Sequence, residues 1–229
     1  MSQLRAIARQ LARDAVATGR PLDWFEDLYV KAEAGEAAVP WADRVPNPNV
    51  TAFLDARGVS GAGRKALKVG SGIGDDAEYL ADLGFAVTAF DISETAIAVS
   101  RERFPESRVD YRAADLFEPP EEWRGAFDFV WESYTLQVLP PDLRHCAIRQ
   151  IAEFVAPGGE LIVVTRARED GDPEGEMPWP LTREELRRFE DAGLVCASLE
   201  DYADSEAPPV RRFRALYRRE VTSAARRGP

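Results

Sequence analysis

The sequence is poor in the residues that most often carry acid–base catalysis and cross-links. Of 229 residues one is histidine, His145, and two are cysteine, Cys146 and Cys196. Two cysteines make neither a disulfide framework nor a four-ligand zinc site, and no metal site is expected. No apolar run approaches the ~18 residues needed to span a bilayer as a helix. Residues 1–20 lack an apolar targeting core, because Arg5, Arg9 and Arg13 interrupt it. The expectation is a cytoplasmic protein with no membrane partner. Positive charge is also short: 29 Lys and Arg against 40 Asp and Glu leave a net −11, which argues against a nucleic-acid partner. The charge is uneven. Residues 1–20 carry four Arg against one Asp and residues 211–229 seven Arg against one Glu, so an acidic body lies between two basic ends.

What is present is ordinary globular material, 45% hydrophobic and 30% charged. The length suits one domain of ~100–200 residues with an elaboration, large enough to bury a core without staples. Leu4, Ile7, Ala8, Leu11, Ala12 and Ala15 recur at helical spacing, predicting a helix over 3–17. Further helices are expected over 22–35 and 49–57, separated by an irregular stretch from Pro40 to Pro48 where prolines forbid helix. From Lys65 onward short apolar runs alternate with helical ones. Strands are read at 66–70, 86–90, 108–112, 126–131 and 159–165, and helices at 75–83, 94–103, 141–155 and 182–192. Repeated strand–helix units predict an α/β fold, a Rossmann-like doubly wound sheet that is mostly parallel. Two last strands, 194–201 and 211–219, predict a C-terminal antiparallel hairpin at one edge and bring the strand count to seven.

Chemistry is concentrated where the first strand turns into a helix: Val69-Gly70-Ser71-Gly72-Ile73-Gly74-Asp75-Asp76. Glycines let a backbone turn sharply and approach a ligand closely, beside the free N–H groups of a helix start. A tight turn needing positive φ explains them equally well. The dinucleotide fingerprint is G-x-G-x-x-G; here the spacing is G-x-G-x-G, and two carboxylates follow at a helix start where a pyrophosphate would be repelled. S-adenosylmethionine, cationic at sulfur, therefore fits better than NAD. Acids also end the next three strands. Asp91 is placed for ribose hydroxyls, Asp115 for an adenine amino group, and Glu132 closes the fourth strand. Ligands bind outside the carboxyl ends of strands in such sheets. Each acid alone could equally be a cap or a solvated loop residue; the ordered set points to a site.

Residues 66–74, Asp91, Asp115, the strand 126–132 and Ala156-Pro157-Gly158-Gly159-Glu160-Leu161 together resemble the ordered motifs of class I S-adenosylmethionine-dependent methyltransferases. Within that class, Trp24 through Pro40-Trp41 to Pro48, the segment Phe127 to Arg144, and Met177-Pro178-Trp179-Pro180-Leu181-Thr182 resemble the thiopurine and halide/thiol methyltransferase group. The resemblance implies a helical N-terminal lid over 1–60, a cofactor-binding domain over 61–220, and a disordered tail over 221–229. It implies a cofactor set of Trp41, Gly70, Ser71, Gly72, Gly74, Asp91, Ile92, Asp115, Leu116 and Glu132. Two positions depart from the class: Lys68 stands where an acid is common, and Ser71 where a cysteine is common.

With one histidine, placed at a helix start beside Cys146, no general base is visible. An acceptor that is nucleophilic without help is expected: a thiol, a halide or a chalcogen compound. Asp142 is a further candidate base. Trp24, Tyr134 and Trp179 are candidates for the acceptor pocket, where aromatic faces attract a sulfonium. Arg166 is a candidate for an anionic acceptor, for the cofactor carboxylate, or for pairing with the acidic loop that follows it. The partner is a small molecule, with a monomer favoured. Three other readings stand beside this one: a nucleoside-binding relative that does not methylate, which Lys68 keeps open; an NAD-dependent oxidoreductase; and a partner-binding protein acting through the Arg211–Arg227 segment.

Overall fold

The computed structural model describes residues 2–221, with side chains from Ala6 onward. Its centre is one sheet of Lys65–Val69 (β1), Ala86–Asp91 (β2), Asp110–Ala113 (β3), Phe127–Ser133 (β4), Val155–Arg166 (β5), Val195–Ala203 (β6) and Arg211–Arg218 (β7). The order across the sheet is β3-β2-β1-β4-β5-β7-β6. The first five strands run parallel, with Leu67 of β1 paired to both Thr88 and Val130. β7 runs antiparallel between β5 and β6. This is the seven-stranded, mostly parallel α/β sheet with a terminal hairpin that the sequence pattern predicts.

Both faces are covered, as parallel sheets require, and side chains alternate between them. Leu67, Val130, Leu161 and Val163 face one core with Ile148, Ile151, Leu186 and Phe189, from the helices Pro141–Phe154 (α6) and Arg183–Asp191 (α7). Ala66, Phe129, Trp131 and Ile162 face the other with residues of Pro48–Ala56 (α3), Asp75–Asp82 (α4) and Glu94–Arg103 (α5). The N-terminal helices Ser2–Ala17 (α1) and Trp24–Glu33 (α2) join the first core through Ala8, Trp24 and Leu28.

Helix starts follow local chemistry. Asn47 caps α3, with Pro48 at its first position, and Ser93 caps α5. Thr182 and Glu185 form a reciprocal capping box at α7. α2 begins at Trp24 rather than 22, because Pro21 to Asp23 forms a turn. β3 starts at Asp110 rather than 108, behind a turn in which Ser107 Oγ accepts the Val109 N–H at 3.0 Å. β5 starts at Val155, which pairs with Phe127 ahead of a bulge. The segment expected to be disordered lies, apart from Val221, outside the described residues.

The arginines of β7 are paired within the fold. Arg211 pairs with Asp201 at 2.7 Å, Arg212 with Asp204 at 2.7 Å, Arg214 with Glu200 at 2.6 Å and Arg218 with Glu160 at 2.9 Å. Acids on neighbouring strands match them. Among the described residues no helix is long and apolar enough to cross a membrane.

Candidate functional site

The carboxyl ends of β1 to β5 open into a cavity of about 840 Å³, within the ~300–1,000 Å³ usual for small-molecule sites. Gly70, Ser71 and Gly72 line it at the end of β1. Gly70 and Gly72 take φ of 57° and 54°, where an L side chain is strained. A Cβ on Gly70 would stand 2.4 Å from Thr135 Oγ1, and one on Gly72 3.1 Å from the Tyr29 hydroxyl. Only glycine lets the loop lie this close to its neighbours. Ser71 Oγ is buried without a hydrogen-bond partner, although its N–H is held by Phe90 O at 2.8 Å.

Asp91 and Ile92 line the cavity at the end of β2, and Asp115 and Leu116 beyond β3. The Asp91 carboxylate accepts the N–H groups of Gly72 at 2.9 Å and Ser93 at 3.0 Å. Burial raises its pKa from the ordinary Asp value, against those two hydrogen bonds. Asp115 Oδ1 accepts the Phe117 N–H at 2.8 Å. Each carboxylate oxygen accepts more than one hydrogen bond, so both acids keep capacity for donors in the cavity.

The acids after the glycine loop behave differently from the sequence reading. Asp75 accepts both terminal nitrogens of Arg103, at 2.7 and 2.8 Å. Asp76 lies 3.5 Å from Lys68 Nζ and accepts the Asn47 N–H at 2.7 Å. Neither charge stands free at the helix start.

Four of the expected site residues do not line the cavity. Gly74 turns beneath the loop, where a Cβ would meet the Tyr111 hydroxyl at 2.6 Å. Glu132 is wholly buried. Its Oε1 accepts the N–H groups of Thr135 at 2.8 Å and Leu136 at 3.1 Å, its Oε2 has no partner, and burial pushes its pKa up to about 7. It shapes the turn after β4 from below. Trp24 is 1% exposed, stacked on Phe25 and edge-on to Trp41, so it backs the cavity wall. Trp179 packs on the core, its backbone N–H bound to Gln137 O at 2.7 Å.

Trp41, Tyr134 and Arg166 do line the cavity. Trp41 Nε1 donates to the Tyr29 hydroxyl at 3.0 Å, which fixes the loop from 40 to 47 above Gly72. Tyr134 has a positive φ of 69°; its hydroxyl accepts from Asn49 Nδ2 at 3.1 Å and the Arg212 guanidinium covers its ring at 4.6 Å. A non-glycine residue in this conformation stores strain, a feature that clusters at functional sites. Arg166 makes no ion pair with the acidic loop that follows it; its backbone N–H donates to Gln137 Oε1 at 2.7 Å. His145 is exposed on α6, away from the cavity.

Sequence reasoning missed Tyr29, Asn49, Gln137 and Arg212. They sit on four different elements, and no local pattern marks them. For Arg212 a signal existed: it lies opposite Arg166 if β7 pairs with β5.

Residues 66–159 match a family model described as a methyltransferase domain. A 2-heptyl-1-hydroxyquinolin-4(1H)-one methyltransferase of Mycobacteroides abscessus is 28% identical over 73% of this chain and 74% of its own length. A ubiquinone biosynthesis O-methyltransferase of Xanthomonas axonopodis pv. citri is 35% identical over 53% of this chain, and the match spans about half of that relative, 51%. The solved structure of a 1,6-didemethyltoxoflavin-N1-methyltransferase of Burkholderia thailandensis, with S-adenosylhomocysteine bound, is similar with a TM-score of 0.67 at 20% identity. The likeness covers 85% of this chain and 86% of that one, and at that identity it is one of fold. Over residues 66–159, then, the chain is similar to a methyltransferase domain.

Proposed function

We propose that this protein transfers a methyl group from S-adenosylmethionine to a small, soft or readily ionised nucleophile such as a thiol, a halide or a chalcogen compound, without a histidine base. The observation that carries the reading is the cavity itself. It joins a glycine cradle at β1 to carboxylates at the ends of β2 and β3, and its walls include no histidine.

The residues present fit the cofactor. The positive-φ glycines and the unpartnered Ser71 Oγ leave a close, polar berth at the end of β1. Asp91 and Asp115 supply acceptors at successive strand ends, in the order a nucleoside needs. Lys68 does not oppose this, because its charge is turned inward to Asp76. When bound, S-adenosylmethionine supplies a methyl group already activated by a positive sulfur. The protein's part is to hold the acceptor in line and exclude water, and well-oriented proximity contributes roughly 7–11 kcal/mol. Trp41 and Tyr134 supply the aromatic faces for this, with Trp24 packed behind Trp41.

The likeness of the Trp24–Pro48 and Met177–Leu186 segments to the thiopurine and halide/thiol group supports a soft acceptor. The name of one relative prints an oxygen acceptor and that of the similar solved structure a nitrogen; an oxygen acid that ionises readily meets the same requirement as a thiol. The test is incubation with labelled methyl donor and a panel of thiols, iodide and phenols. Transfer to thiols, iodide or a phenol that ionises readily is expected; transfer only to phenols that stay protonated at the assay pH would overturn the reading. Calorimetry should show binding of S-adenosylhomocysteine and none of NADH.

A further inference from the structure

Arg166, the last residue of β5, brings a guanidinium to the cavity wall that has no hydrogen bond or ion pair among the described residues. The side chain is half-buried and its Nε is fully shielded from water. Directly opposite, in register on β7, stands Arg212, 2% exposed. Arg212 is neutralised by Asp204 at 2.7 Å and by Glu206, yet its Nη1 is also buried without a partner. Like charges directly opposite on paired strands repel, and a charge taken from water needs a counter-charge. Burial, then Arg212, with a smaller push from Arg9 of α1, lowers the pKa of Arg166; Glu206 and Tyr134 act the other way. Both nearby acids, Asp204 and Glu206, are engaged by Arg212, so the Arg166 guanidinium faces the cavity with no ion pair of its own among the described residues.

The sheet order says which half of the cavity this is. Asp91 and Asp115 end β2 and β3, on one side of β1; Arg166 ends β5, two strands away on the other side. Two strand spacings are roughly 10 Å. Arg166 thus lies on the side away from the Asp91 and Asp115 carboxylates, where Tyr134 also lines the cavity and carries the Arg212 guanidinium over its ring.

We propose that the methyl acceptor binds as an anion against Arg166, with Arg212 Nη1 beside it, so that charge stabilisation replaces a general base. The acceptor class is a small organic acid whose nucleophilic atom carries the negative charge: a thiolate, an oxygen acid of an N-hydroxyl or enol, or a phenolate. The inference rests on the methyltransferase reading above. The acceptor loses its proton to water on binding. Its electron pair forms the bond to the methyl carbon, the sulfur keeps the pair of the bond that breaks, and no side chain has to move a proton during transfer.

The test uses 4-nitrophenol, whose phenolate absorbs visibly, titrated against pH on the full chain saturated with S-adenosylhomocysteine. The bound phenol should ionise at least one pH unit lower than in buffer. Arg166→Leu should abolish that shift and weaken phenolate binding tenfold or more, while leaving S-adenosylhomocysteine affinity unchanged. Arg166→Lys should retain part of the shift. Because Leu removes a half-buried guanidinium that has no ion pair of its own, the variant should melt at the same temperature or higher. An unshifted phenol on the unaltered protein, or a shift that survives Arg166→Leu, overturns the proposal. So does a variant that loses affinity for S-adenosylhomocysteine but keeps phenolate, which would assign Arg166 to the cofactor carboxylate. Failure of the unaltered protein to bind S-adenosylhomocysteine counts against the methyltransferase reading; the absorbance titration, run without it, then judges the anion site alone.

Discussion

The Lys68 ammonium lies 3.5 Å from Asp76 Oδ2, under the glycine loop and 2% exposed at its side chain. Its remaining hydrogens go to the carbonyls of Val69 at 2.8 Å and Gly70 at 3.2 Å, and it sits 5.9 Å from the Trp131 ring centroid. It also lowers the pKa of both Asp91 and Glu132, against the larger effect of burial. One lysine thus offsets three carboxylates around the loop. Lys68→Met should destabilise the fold by roughly 3–5 kcal/mol, the range for removing one partner of a buried pair. Adding Asp76→Asn should recover part of that loss in a denaturant-unfolding cycle; purely additive effects would count against the pairing.

Asp91 ties the glycine loop to β2 through Gly72 N–H and faces the cavity. Asp91→Asn keeps the volume and removes the charge. Affinity for S-adenosylhomocysteine should fall tenfold or more, about 1.4 kcal/mol, as expected for loss of a hydrogen bond to a charged group. Calorimetric titration reads this directly, and an unchanged Kd would remove Asp91 from the binding set.

Glu132 makes stability depend on pH. Burial raises its folded pKa from 4.5 to about 7, so the folded state holds a proton that the unfolded state gives up. The stabilisation is fully present below pH ~4.5 and is lost as pH rises through about 7, a change on the order of 3 kcal/mol. Glu132→Gln removes that titration. Its unfolding free energy should vary less between pH 4.5 and 8 than that of the unaltered protein, as followed by urea melts. Parallel curves for the two proteins would show that Glu132 titrates normally.

The Tyr29 hydroxyl joins Trp41 to the space above Gly72. Tyr29→Phe leaves the ring and removes the acceptor of the indole N–H, at a cost of roughly 0.5–1.5 kcal/mol. The loop around Trp41 should loosen, with faster release of S-adenosylhomocysteine in stopped-flow Trp fluorescence. An unaltered release rate would place the loop outside the binding step.

Much of the sheet was legible because it is written in short-range patterns. Short strands such as Ala66–Val69, apolar but for Lys68, and Phe129–Trp131 alternate with helical stretches, the pattern of a parallel sheet. The glycines and Asp91 follow because strand ends in such a sheet converge on one edge. The missed and misplaced residues share one property: their role depends on side-chain direction or a distant partner. Glu132 ends a strand as Asp91 does, yet its carboxylate folds inward to hold the Thr135 and Leu136 N–H groups. Trp24 and Trp41 both lie in the N-terminal segment, and only Trp41 reaches the cavity.

By itself, then, the sequence determined the α/β sheet, its terminal hairpin, the glycine turn and which strand ends carry acids, since all of these follow from period, propensity and neighbouring residues. Only the tertiary structure decided which charges cancel and which remain. Lys68 finds Asp76 across the loop, the arginines of β7 find the acids of β5 and β6, and Arg166 finds another arginine opposite it. Electrostatic partners are set by distance and burial after the chain has packed, which no count of acids and bases along the chain contains.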